Sequence, residues 1–74
     1  KEEEAKARRL KRLQEEAEQK IESLEDQISA VEAELCREEV MTDPERLRKL
    51  SGELDALKQQ LSEEYDKWME LQEV

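Results

Sequence analysis

The 74-residue sequence predicts an all-α fold, a two-helix antiparallel coiled-coil hairpin, on three observations. Charged residues make up 47% of the chain, with one Gly, one Pro and no Phe. Such a mixture forms a long solvated helix or stays disordered, and hydrophobic periodicity decides between the two. Here the apolar residues recur in two long series at steps of 3 and 4, the spacing of one helix face. Between the series stands a sharp break, Met41-Thr42-Asp43-Pro44-Glu45. The expected elements are a helix over 3–37, a connection over 38–43 and a helix over 44–73, in a single domain spanning 1–74.

The first helix opens on Glu2-Glu3-Glu4, favourable where the helix dipole is positive. The sign then reverses, with Lys6, Arg8, Arg9, Lys11 and Arg12 and no acid among them. Its apolar series is Leu10, Leu13, Ala17, Ile21, Leu24, Ile28, Val31 and Leu35. From Ala17 onward the steps alternate, which is a heptad seam with Ile21, Ile28 and Leu35 at a and Leu24 and Val31 at d. Two successive steps of 4 around Ala17 make a stutter that unwinds the supercoil locally.

After Leu35 no glycine offers an easy left-handed cap, so the first helix is expected to fray through Cys36 and Arg37. Val40 and Met41 are apolar and off the seam. They are expected to fold over the end of the helix pair and plug it, with a surface loop as the alternative. Pro44, which lacks an N–H and has a fixed φ, suits the first turn of a helix and not its interior. Asp43 is a good N-cap, and Thr42 with Glu45 reads as a competing capping box.

The second series is Leu47, Leu50, Leu54, Leu57, Leu61, Trp68 and Leu71, with Glu64 at the intervening d position. Tyr65 flanks Glu64 and is placed to cover what the carboxylate leaves open. Gly52 lies off the seam and costs about 1 kcal/mol of helix propensity relative to Ala.

In an antiparallel pair, residues facing each other have numbers that add to a constant. A constant of 78 pairs Ala7 with Leu71, Leu10 with Trp68, Gln14 with Glu64, Ala17 with Leu61, Ile21 with Leu57, Leu24 with Leu54, Ile28 with Leu50 and Val31 with Leu47. Only the Gln14 layer is polar, and it is polar on both sides. A constant of 85 sets Glu64 against Ile21 and Gln14 against Leu71, which buries polar groups without partners at about 1–3 kcal/mol each. The first register is therefore expected.

The net charge of −9 argues against the whole surface serving as a nucleic-acid or anionic-membrane footprint. Local basic patches are compatible with it. In the expected register, Lys67 comes alongside Arg8, Arg9, Lys11 and Arg12 at the open end, a candidate phosphate-binding cluster. A weaker cluster, Arg37, Arg46, Arg48 and Lys49, sits at the tip among Glu38, Glu39, Asp43 and Glu45. Ordinary solubilising charge is the competing reading of both.

The chain has no His, no Gly-rich phosphate loop and one cysteine, Cys36. No catalytic, cofactor-binding or metal-binding residue is assigned, and the carboxylate pairs have no enclosing pocket to perturb them. A lone thiol with no apparent secretory or membrane segment points to a reducing cytoplasm. The chain begins at Lys1 inside a helical pattern and reads as a piece of a longer protein.

The run Ile21 to Leu35, IESLEDQISAVEAEL, the bend with Asp43, the Leu47-x-x-Leu50-x-x-x-Leu54 seam and the closing Tyr65-x-x-Trp68-x-x-Leu71 resemble a known domain. It is the C-terminal coiled-coil domain of bacterial ABC-F ATP-binding cassette proteins, in the Uup-like branch. The resemblance implies a parent with two ATP-hydrolysing cassettes, using ATP and Mg, and no membrane domain, acting on the ribosome as a translation factor. It also implies that this piece is a non-enzymatic arm, here expected to be a monomeric hairpin, that contacts DNA, ribosomal RNA or tRNA, or the ribosome. The alternative is an oligomerisation module of an unrelated scaffold protein.

Overall fold

A computed structural model describes residues 2–73, which are almost entirely helical, with no strand among them. Three helices follow one another: α1 (Glu2–Leu35), α2 (Glu38–Met41) and α3 (Pro44–Gln72). The long helices α1 and α3 lie along each other in opposite directions, since Gln14 reaches Leu71 near one end while Lys20 and Glu25 reach Glu64 and Tyr65 further in. Their length gives a rod of 61 × 14 × 13 Å.

The helix ends follow from local chemistry. At the end of α1, the N–H groups of Cys36 and Arg37 donate three residues back, to Ala33 and Glu34 at 3.2 and 3.0 Å. This tightened turn closes α1 at Leu35 rather than at the expected 37, with no residue of positive φ among those described. The expected connection 38–43 contains a full helical turn, α2, entered from extended Arg37 without a side-chain cap. Of the two competing caps on α3, Asp43 prevails. Its Oδ1 accepts from the N–H of Glu45 and of Arg46 at 3.2 and 3.4 Å, with Pro44 in the first turn. Thr42 turns the other way and donates its hydroxyl to the Glu38 carbonyl at 3.0 Å.

The register is the one set aside from the sequence. Gln14 Nε2 bonds the Leu71 carbonyl at 3.0 Å, Lys20 pairs with Glu64 at 3.1 Å and Trp68 Nε1 donates to Glu18 at 3.3 Å, so facing residues add to about 85. The difference has two physical causes. First, the polar groups judged partnerless have partners: lysines for Glu64, and for Gln14 one of the last four carbonyls of α3, which no intrahelical N–H can satisfy. Second, α2 prolongs the pairing, so the chain reverses at Thr42-Asp43, half of 85, and not at 39.

Burial follows this register. Ala17, Ile21, Leu24 and Ile28 are buried, and Val31, Leu50, Leu54, Leu57, Leu61, Trp68 and Leu71 are half-buried. Leu47, expected in the core, is 37% exposed, because it lies level with α2, beyond the end of α1. Val40, at 3% exposure, plugs the tip, whereas Met41, expected beside it, is 60% exposed. The break at Cys36-Arg37 re-phases the chain so that α2 turns Val40 inward in place of the acidic Glu38. Gly52 faces open space, and nothing in the structure explains it.

Candidate functional site

Sliding α3 into the observed register leaves the first turns of α1 alone. By the sum of 85, Gln72 at the end of α3 faces Leu13, so Glu2–Arg12 project past it by roughly 16 Å at 1.5 Å per residue. This overhang carries the basic run. Ala5, Arg8, Arg9 and Arg12 line one shallow surface depression, and Arg8 is steadied by a 3.4 Å bond from its Nε to the Glu4 carbonyl. Arg8, Arg9, Lys11 and Arg12 are all exposed, and no acid occurs between Ala5 and Gln14. Of the expected core and edge, Leu10 is half-buried and Leu13 is 41% exposed, since α3 ends before it can cover them.

Lys67 does not join this ridge. It pairs with Glu64 at 3.4 Å and lines a depression with Leu13, Glu16, Ala17, Lys20 and Leu71, level with residue 18 of α1 rather than with Lys11. The shift of seven residues in register moved it away. The tip cluster is spread out as well: Arg37 is bound to Glu39 at 2.9 Å, and Arg46 and Lys49 share a depression with Glu34 and Glu53.

The second polar feature is Glu64, the buried acid of α3, at 6% exposure. Lys20 from α1 and Lys67 from α3 both hold its Oε1. Burial raises the carboxyl pKa, but the hydrogen bond and charge of Lys20, then those of Lys67, outweigh it and leave the value lowered. Both lysine side chains remain well exposed while the Glu64 side chain is covered. Across the rod, Tyr65 donates to Glu25 at 3.1 Å, and that bond, with some desolvation and the nearby charge, raises the phenol pKa. Lys20 was the residue missed in the sequence. Its signal was available: it is the sole base between Leu13 and Leu35, among Glu15, Glu16, Glu18, Glu22, Glu25, Asp26, Glu32 and Glu34.

What can these groups do? The overhang can hold phosphate groups by charge, and the Glu64 cluster can fix alignment. Among the described residues no group of metal-ligating side chains comes together, and the sequence has no phosphate-cradling Gly-rich loop. No described helix is long and apolar enough to cross a membrane.

Comparison with curated proteins and with solved structures found no match. The model of the ABC transporter C-terminal domain family matches residues 5–73, nearly the whole chain. This helical rod with a basic end is part of an ABC-family protein, and the chain belongs to the ABC transporter C-terminal domain family.

Proposed function

We infer that the chain is the accessory arm of an ABC-F ATPase of the Uup-like branch, an antiparallel coiled-coil hairpin whose projecting α1 end contacts the phosphate backbone of DNA, ribosomal RNA or tRNA. ATP binding and hydrolysis, with Mg, belong to the parent's cassettes, and the setting is the cytoplasm, at the ribosome. One observation carries the reading: Arg8, Arg9, Lys11 and Arg12 stand exposed, without an acid among them, on a helix end that no other helix flanks. Phosphate contact requires only such a local ridge, and the acidity of the rest confines the contact to it.

The test is binding of a labelled DNA duplex and a labelled RNA hairpin by fluorescence anisotropy. With about four phosphates neutralised, affinity falls on the order of a hundredfold between about 50 and 200 mM salt. Reversal of Arg8, Arg9 and Arg12 to Glu abolishes binding, while Lys58→Glu, on the body of α3, leaves most of it. Binding unchanged by the triple reversal removes the ridge from the account. The alternative, an oligomerisation module, draws on exposed Leu13 and Met69 near the same end. It requires a dimer in sedimentation at micromolar concentration and no binding of either nucleic acid.

A further inference from the structure

We propose that α1 and α3 have a second stable register one heptad away from the observed one, and that the Lys20–Glu64–Lys67 cluster and the Val40 plug hold the arm in the first and make it a sliding switch. The grounds are in the layers. In the observed register, five layers are wholly apolar by the sum of 85, from Ala17 opposite Trp68 to Leu35 opposite Leu50, and three are mixed, Ile21 with Glu64, Gln14 with Leu71, and Glu38 with Leu47, where Val40 turns inward in place of Glu38. Sliding α3 by seven residues toward the start of α1 restores the sum of 78, in which every layer but Gln14 with Glu64 is apolar. That slide also covers Ala7 and Leu10, which the observed register leaves on the overhang. The heptad repeat makes both alignments satisfy the seam. On apolar layers alone the observed register has no advantage.

What selects it is polar and local. Lys20 reaches Glu64 only when the sum is near 85; in the second register Glu64 faces Gln14, six residues or roughly 9 Å further along α1. Gln14 likewise gives up the Leu71 carbonyl. The slack for the slide is α2, a single turn with no side-chain cap at its start, whose unwinding frees the residues between Leu35 and Asp43 and costs the burial of Val40. A partner that pulls Val40 out at the tip would therefore shift α3 by about 10 Å and cover the apolar face of the overhang at the far end. Tip and foot would be read together, as two ends of one two-state element.

The experiment measures the register directly. Spin labels on cysteines at Glu32 and Glu70, both exposed, in a Cys36→Ser background, report the axial offset by pulsed electron paramagnetic resonance. The labels are roughly 25 Å apart along the axis in the observed register and roughly 36 Å in the second, at 1.5 Å per residue. Lys20→Glu sets a second carboxylate against Glu64 and moves the majority of the distance distribution to the longer value. Lys20→Ala moves a smaller fraction the same way, and Glu64→Leu, which makes the Ile21 layer apolar, removes any long component. A single short distance in both Lys20 variants overturns the proposal. So does loss of helicity in both, because a second apolar register would have kept the chain folded.

Discussion

Glu64 shows at the scale of one side chain why a charged group can occupy a seam. Two lysines hold its carboxylate below the ordinary value of about 4.5 in the folded chain. A carboxyl whose folded pKa is depressed adds stability that is fully present above its unfolded pKa and is lost as pH falls through the folded value. Acid titration followed by circular dichroism should therefore show loss of thermal stability setting in below about pH 5, and Glu64→Gln should flatten that part of the curve. If the variant keeps the full acid transition, other carboxylates cause it. Tyr65 acts with the opposite sign. Its raised pKa keeps the bond to Glu25 intact below the ordinary phenol value near 10 and lets it go above the raised value.

At the scale of elements, the tip decides how the two long helices meet. Val40 is the most buried apolar side chain among the described residues, at 3% exposure, and it sits on a helix of one turn. Val40→Ala should lower stability by about 1–2 kcal/mol, most of the transfer value of a buried valine. Met41→Ala, on an exposed neighbour, should stay within about 0.5 kcal/mol. Chemical denaturation of the two variants separates a plug from a surface loop, which would make them equal. The long helices were legible in the sequence because Ile21, Leu24, Ile28 and Val31 repeat along one face over several heptads. The start of α3 was legible because Asp43-Pro44 is local cap chemistry. Register was not, because it depends on two things with no periodic signature: whether Glu38–Met41 coil once more, and whether a long lysine stem can bend to a seam carboxylate. By sequence Gln14 and Glu64 pair with each other because both are polar. In the structure each is satisfied elsewhere, and Lys67 left the basic ridge with them.

For the whole molecule, charge is separated along a rod 61 Å long. Lys6, Arg8, Arg9, Lys11 and Arg12 gather at the projecting end, and the remainder of the chain must then be more negative than the net −9. Half of that negative charge lies on α1 after Leu13, where Lys20 is the sole base among eight acids. Self-repulsion of this body opposes the close approach of α1 and α3, and salt relieves it, since exposed charges further apart than the Debye length are screened. The Lys20–Glu64–Lys67 cluster is weakened less, because Glu64 is covered and its partners are within 3.4 Å. Raising salt from about 20 to about 300 mM, where the Debye length contracts from roughly 20 to 6 Å, should therefore raise the melting temperature of the helix pair. Over the same range its affinity for nucleic acid should fall, because screening weakens the ridge's hold on phosphate. The two responses have one cause and opposite signs. A melting temperature that falls with salt would mean that attraction between surface charges, rather than the apolar layers, holds α1 against α3.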